Sequence, residues 1–290
     1  MPEVEIAAYS GFCNGADRCV RLVEEALETG PVYTIGPVLH NPDVVDYLRK
    51  AGARIAGGPQ EVPPGAVVVT RAHGISPADF ETLGKISGRV IDGTCGNVSA
   101  IHEKIEHHKS SGRTIYIAGD PAHAETKSHV SRAGSDAIVV ESVSVLSGML
   151  IEDAPSAVVA QTSFDREEYT RIVDYLKRAV QDLVVEDTLC GWMGRAREAA
   201  AELAGRVDIM IVLGGKNSAN TGRLAEVCGA AGALTVFIEN EAGLSRDDFQ
   251  GVKRIGITAG ASTPGVSINK LTDWLQNEIG AKIRQKKDTI

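Results

Sequence analysis

The chain has 290 residues, 43% hydrophobic and 23% charged, the proportions of an ordinary folded protein and not of a disordered or collagen-like one. Its 30 basic against 38 acidic residues give a net charge of −8, which argues against a nucleic-acid-wrapping protein and requires any anionic ligand to be held by local groups. No apolar run approaches the ~20 residues of a membrane span, and the first residues lack the basic and apolar regions of a signal peptide, so a cytoplasmic protein is expected.

Apolar runs and helical periodicities alternate along the chain and predict α/β layers throughout. Glu5–Ser10 reads as a strand, followed by Gly11-Phe12-Cys13 and a helix over Asp17–Glu28. Val32–Ile35 is the next strand and runs into Gly36, then His40. Val67–Thr70 is a third and leads to His73. The pattern then starts again. Arg89–Asp92 is a strand ending in Gly93-Thr94-Cys95, with a helix over Ser99–Lys109. Thr114–Ala118 runs into Gly119, then His123, and Ala157–Ala160 leads to Gln161-Thr162. A third round has Leu183–Glu186, then Asp187-Thr188-Leu189-Cys190 and a helix over Arg195–Ala204. Asp208–Leu213 follows, running into Gly214 and Ser218, and Arg254–Thr258 leads to Ser262. The interval from cysteine to glycine is 23, 24 and 24 residues, and from that glycine to the polar residue it is 4 each time. The chain is therefore read as three similar α/β units, residues 1–95, 96–189 and 190–290, the last with a basic C-terminal tail.

Each round places one cysteine and two polar residues at the carboxyl ends of strands, the edge where open α/β sheets bind ligands. The five cysteines, at 13, 19, 95, 190 and 228, include no C-x-x-C pair, which excludes a zinc ribbon, a thioredoxin site and a ferredoxin-type run. Their odd number argues against a disulfide framework. Cys13, Cys95 and Cys190 share one register. Three thiolates from distant parts of a chain suit an iron–sulfur cluster or a metal with an open coordination position. Duplicated packing modules with buried cysteines are the alternative. Cys19, on an apolar helix face, and Cys228, near a helix end, read as packing residues. His40, His73, Ser218, Asn220 and Ser262 are donors without strong charge, and with helix N-termini beside them they suit a diphosphate. His102-Glu103 with His107 misses the zincin spacing by one residue, and His107, His108 and Lys109 read as a solvated helix face. Gly214–Ser218 lacks the full P-loop pattern, and no G-x-G-x-x-G is present.

The chain resembles the hydroxymethylbutenyl diphosphate reductases along nearly its whole length. The carriers are Gly11-Phe12-Cys13, Gly36-Pro37-Val38-Leu39-His40-Asn41-Pro42, Ala72-His73-Gly74-Ile75-Ser76 and Asp92-Gly93-Thr94-Cys95. They continue with His123-Ala124-Glu125, Gln161-Thr162, Gly215-Lys216-Asn217-Ser218-Ala219-Asn220 and Thr258-Ala259-Gly260-Ala261-Ser262. The resemblance implies a three-domain, pseudo-threefold trefoil around a central [4Fe–4S] cluster held by Cys13, Cys95 and Cys190. It implies an allylic diphosphate substrate bound by His40, His73, His123, Ser218, Asn220 and Ser262. Catalysis would then fall to Glu125 as proton donor, its pKa raised by partial burial, with Thr162 and His123 beside it. In an extended segment His123 and Glu125 would face one cavity. The implied reaction is reductive dehydroxylation of (E)-4-hydroxy-3-methylbut-2-enyl diphosphate to isopentenyl and dimethylallyl diphosphate, with reduced ferredoxin or flavodoxin as electron donor. The chain departs from the family's usual residues at Gly93, Gly96, Ala124 and Gly191–Arg197. These departures keep open a paralogue acting on another allylic diphosphate alcohol. A non-catalytic cluster-bearing sensor is the reading from another class; it would need neither Glu125 nor Thr162.

Overall fold

The computed structural model describes residues 1–39, 41–216 and 218–284; His40 and Asn217 lie outside the described residues, as does most of the expected basic tail. In chain order the elements are strand β1 (Glu3–Ile6), helix α1 (Asn14–Leu27), β2 (Val32–Ile35), α2 (Pro42–Lys50), β3 (Arg54–Ala56), β4 (Val67–Val69), α3 (Pro77–Ile86) and β5 (Arg89–Ile91). They continue with α4 (Gly96–Ser110), β6 (Thr114–Ala118), α5 (Ala124–Ala133), β7 (Ile138–Val140), α6 (Val143–Ser147), β8 (Ser156–Ala160), α7 (Arg166–Ala179) and β9 (Leu183–Val185). The remainder is α8 (Gly191–Ala204), β10 (Ile209–Leu213), α9 (Ala219–Ala230), β11 (Leu234–Ile238), β12 (Arg254–Ala259), α10 (Gly265–Ile279) and β13 (Lys282–Ile283). The expected α/β class is borne out: the described strands form three sheets, and every strand pair is parallel. No helix among the described residues is long and apolar enough to cross a membrane.

Two compact units divide the chain. One comprises Arg18–Val38 and Arg49–Cys190 and holds two four-stranded sheets, ordered β3-β2-β4-β5 and β7-β6-β8-β9. The strands are apolar because parallel sheets are covered on both faces. All five residues of β8 are buried, and Ile117, Val158 and Val159 are inaccessible to solvent. Leu176 and Ile172 of α7 pack on one face of the second sheet with Tyr116 and Val158, while Ile101 and Ile105 of α4 pack with Ile117 and Val159. The other unit comprises Met1–Asp17, Leu39–Leu48 and Gly191 onward, with one sheet ordered β11-β10-β12-β1-β13.

The strand ahead of each cysteine does not pair with the strand that follows that cysteine in the chain. β5 pairs with β4, β9 with β8, and β1 with β12. The segment read as a unit at 1–95 thus lends its first strand to the sheet of β10–β12. Val4 supplies the reason: it is fully buried in a core built from Ile209, Ile211, Ile255 and Leu271. The strand expected over Glu5–Ser10 is Glu3–Ile6, and the helices expected from Asp17, Ser99 and Arg195 start at Asn14, Gly96 and Gly191. Gly and Asn are poor helix formers and hid those first turns, but a first turn carries no intrahelical N–H bond to lose. His108 is not on a solvated face: it is buried and bonds Glu186 at 2.9 Å, and Lys104 also pairs with Glu186. Cys19 and Cys228 are fully buried, as packing residues should be.

Gly93, one of the departures, has a physical cause. A Cβ there would stand 2.0 Å from the Thr70 carbonyl oxygen and 2.9 Å from the Cys19 sulfur. At Gly96 a Cβ would meet nothing within 4 Å. Gly93→Ala should therefore lower stability by about 1–3 kcal/mol, the cost of overpacking a closed site. Gly96→Ala should leave it unchanged or slightly raised. Chemical denaturation of the two variants checks this, and equal midpoints would contradict it.

Candidate functional site

Each cysteine of the shared register is the residue immediately before a helix and past the end of a strand. The backbone makes the same bond at each. Cys13 N–H donates to the Ala261 carbonyl at 3.1 Å, Cys95 N–H to Ala72 at 3.0 Å and Cys190 N–H to Thr162 at 2.8 Å. The acceptors are the residue before Ser262, the residue before His73, and Thr162 itself. Each bond ties the loop that leaves one strand to the loop that leaves its parallel neighbour, and holds a cysteine beside a polar strand tip. All three cysteines are half-buried, and N–H groups aim at two of the sulfurs: Ala16 N–H at Cys13 Sγ, 3.4 Å, and Asn97 Nδ2 at Cys190 Sγ, 3.3 Å. Burial instead pushes the thiols of Cys19 and Cys228 up, to about 12 and about 11.

In the unit holding Cys13, Gly11 turns at φ 87°, with the Thr263 carbonyl oxygen 3.1 Å from where its Cβ would stand. The Ser262 loop follows β12, and Ser218 is the N-cap of α9. Ser218 Oγ accepts from Thr221 N–H at 3.3 Å and from the Thr221 hydroxyl at 3.0 Å, which leaves its own proton to donate outward. Asn220 stands in the first turn of α9. The altered stretch after Cys190 builds an aromatic stack. Trp192 meets the Tyr9 ring edge-on at 5.1 Å, and the Arg195 guanidinium lies 5.2 Å from that ring's centre. Tyr9 takes the left-handed region, φ 57°.

In the unit holding Cys95 and Cys190, the turn before Cys95 is tied by Asp92, whose Oδ1 accepts from Thr70 Oγ and Thr94 N–H, both at 2.9 Å. The Cys190 turn is tied through Thr188, which exchanges two bonds with the Ala160 backbone at 2.7 and 2.8 Å. The same unit buries Glu125, 3% exposed. Its Oε1 accepts from Thr162 N–H at 2.6 Å and lies 3.3 Å from His129 Nε2; its Oε2 accepts the Thr162 hydroxyl at 2.8 Å. Burial acts to raise its pKa, but the hydrogen bond from His129 and the two bonds from Thr162 outweigh it, so the carboxyl sits below the ordinary glutamate range. This corrects the expectation of a raised value: at neutral pH the unliganded protein holds Glu125 as carboxylate.

His123 and Glu125 do not share an extended segment. His123 is the N-cap of α5, and its Nδ1 accepts the Glu125 backbone N–H at 3.2 Å. Burial lowers the His123 pKa, ahead of the opposing charge of Glu125. The ring is therefore neutral near pH 7, with Nε2 carrying the proton. His73 meets it edge-to-face at 5.4 Å. The structure thus joins Glu125 to Thr162, Thr162 to Cys190, and His123 to His73. His129 and Asn97 escaped the sequence reading. His129 lies four residues after Glu125, a spacing that gave the signal once a helix begins at Ala124.

Comparison with known proteins follows the same lines. The LytB protein family model matches residues 4–276. The chain is 35% identical to the 4-hydroxy-3-methylbut-2-enyl diphosphate reductase of Aquifex aeolicus, covering 98% of this chain and 97% of the relative. It is 36% identical to the enzyme of the same name from a Nitratiruptor species, with 98% of each covered. Among solved structures, an (E)-4-hydroxy-3-methyl-but-2-enyl diphosphate reductase, described as the terminal enzyme of the non-mevalonate pathway, superposes with TM-score 0.77 at 35% identity, covering 95% of this chain and 99% of that one. A reductase structure from Plasmodium falciparum shares the fold, with TM-score 0.87 at 24% identity, covering 100% of this chain and 93% of that one.

The contrast among the thiols predicts an alkylation pattern. In the native, metal-free protein, iodoacetamide at neutral pH should label Cys13, Cys95 and Cys190, while Cys19 and Cys228 react only after unfolding. Peptide mass spectrometry reads the pattern, and labelling of Cys19 alongside Cys95 would contradict it.

Proposed function

The chain belongs to the LytB family of 4-hydroxy-3-methylbut-2-enyl diphosphate reductases, and from that membership we propose that it replaces the allylic hydroxyl of (E)-4-hydroxy-3-methylbut-2-enyl diphosphate by hydrogen. The products are isopentenyl and dimethylallyl diphosphate, and the other product is water. The reaction takes two electrons and two protons. One proton leaves with the hydroxyl, and the other is delivered to either end of the allylic unit. The observation that carries the reading is the threefold backbone bond that holds Cys13, Cys95 and Cys190 beside Ser262, His73 and Thr162.

A [4Fe–4S] cluster on those three thiolates would supply electrons singly and Lewis acidity. The donor set fits: three half-buried thiols, two of them aimed at by N–H groups. Among the described residues no three His, Cys, Asp or Glu side chains converge as a single metal ion would require. A cluster does not require it, because its thiolates sit on separate irons. Reduced ferredoxin or flavodoxin is the proposed electron donor, and a cytoplasmic setting suits the reduced thiols.

The remaining chemistry belongs to the chain. Ser218, Asn220, Ser262, His73 and His123 offer donors for diphosphate oxygens, with His40 as a further candidate. His123 offers Nε2–H, since its Nδ1 is engaged by the Glu125 N–H. That binding energy, remote from the reacting carbon, fixes the alcohol in place. Hydroxide leaves poorly and needs an acid. Glu125 rests as carboxylate and takes up a proton from solvent in each turnover; Thr162 Oγ, hydrogen-bonded to Glu125 Oε2, passes its own proton outward and recovers that one from the carboxyl. A sensor would have no use for this buried carboxylate–hydroxyl pair.

Anaerobically reconstituted protein with a reduced dye should convert the diphosphate alcohol to both C5 products, identified by mass spectrometry. Glu125→Gln should bind substrate nearly normally and lose about 10²–10⁴ in kcat. A fully loaded protein that yields neither product would overturn the reading, and a Glu125→Gln enzyme within a few-fold of wild type would remove Glu125 from the proton path.

A further inference from the structure

We propose that His129 is a positioning residue for the reaction: it selects the oxygen of Glu125 that carries the proton and keeps the carboxylate ionised between turnovers. The inference rests on the reading of Glu125 as proton carrier. Both residues lie on α5, four apart, on one face of the helix. His129 is 0% exposed, and its Nε2 is 3.3 Å from Glu125 Oε1. Its Nδ1 is buried with no hydrogen-bond partner among the described residues. That fixes the tautomer. An imidazolium would leave an Nδ1–H unmet in the core, at the cost of an unsatisfied buried donor. The neutral ring with its proton on Nε2 leaves only a lone pair there and donates to Oε1.

The two carboxylate oxygens are then unequal. Oε1 takes two N–H bonds, from Thr162 and His129, whereas Oε2 takes only the Thr162 hydroxyl. Protonation falls on Oε2, the oxygen already facing the group that relays to substrate. Without the Nε2–H bond the difference narrows, and burial raises the carboxyl.

The groups packed around the pair do not duplicate this role. His102 of α4 meets the His129 ring edge-on at 5.2 Å; burial pushes it down to about 3, so it stays uncharged, and its Nε2 is engaged with Ser128 Oγ at 3.1 Å. Arg132, farther along α5, bonds Glu106 of α4 at 2.8 Å. Lys127 of α5 is exposed. His123, at the helix start, is neutral near pH 7, and Asp92 and Arg71, past β5 and β4, act on the neighbouring histidines through charge alone. Gly74, at φ 75°, closes the pocket from the β4 side: a Cβ would stand 2.8 Å from Ser128 Oγ and 2.9 Å from His102 Cε1.

The test uses three proteins: wild type, His129→Leu, which removes the donor, and His129→Gln, which retains an uncharged N–H. The first readout is the side-chain carboxyl ¹³C titration of Glu125 in metal-free protein, assigned by its loss in Glu125→Gln. His129→Leu should raise the midpoint by about one to two pH units, the span of a hydrogen bond to a charged group. His129→Gln should stay near wild type. The second readout is kcat against pH in the loaded enzyme. An acid must be protonated to act, so a raised carboxyl moves the alkaline limb to higher pH by the same amount in His129→Leu only. A carboxyl midpoint unmoved in His129→Leu overturns the inference and leaves the proposed reaction untouched. So does a shift as large in His129→Gln as in His129→Leu. A moved midpoint with an unmoved kcat profile overturns it too, because the pair is then only structural.

Discussion

In a parallel sheet, the residue past the last ladder bond and before the first helical turn can point only off the carboxyl edge. Cys13, Cys95 and Cys190 all lie in such a strand-to-helix loop, immediately before the helix, and each is held there by a backbone bond, to Ala261, Ala72 or Thr162. The bond fixes the thiol against the neighbouring strand's polar tip without spending a side chain. It also accounts for the partner of the strand before each cysteine: β1, β5 and β9 must pair with β12, β4 and β8 for the bond to form. A helix starts at once behind each cysteine, so its unpaired N–H groups face the same edge. Ser218 and His123 use the same junction as N-caps of α9 and α5.

Electrostatics complete the design in the unit that carries Glu125. A carboxylate this deeply buried is costly unless donors meet it. Here they come from the end of β8 and from one turn further along α5. Thr162 therefore has three duties: its N–H and hydroxyl hold Glu125, and its carbonyl holds the Cys190 turn. The buried carboxylate and the Cys190 turn are positioned by one residue. Removing either partner leaves a charge or a donor stranded in the core, so the two positions are physically coupled.

Much of this was legible in the chain. The 23- or 24-residue interval from cysteine to glycine marked the repeat, because a register shared by three strand–helix junctions recurs in the sequence. The α/β class followed from apolar runs such as Ile209–Leu213, which are buried over their whole length. What was not legible depends on long-range contacts. Nothing local in Glu3–Ile6 announces that it pairs with a strand some 250 residues away. His108 looked solvated because its partner, Glu186, is 78 residues distant. The depressed carboxyl of Glu125 required knowing that a helix begins at Ala124, which turns a His four residues on into a ligand of the same carboxylate. Gly93 read as a departure from the family pattern until the Thr70 carbonyl and Cys19 sulfur were seen to close on it.

The central proposal is that Cys13, Cys95 and Cys190 hold one [4Fe–4S] cluster. Mössbauer spectroscopy of protein reconstituted anaerobically with ⁵⁷Fe and sulfide tests it most directly. The account predicts close to four irons per chain, one of them spectroscopically distinct from the other three and altered alone when the diphosphate alcohol is added. A spectrum of mononuclear iron, or four equivalent irons that ignore the substrate, would contradict it.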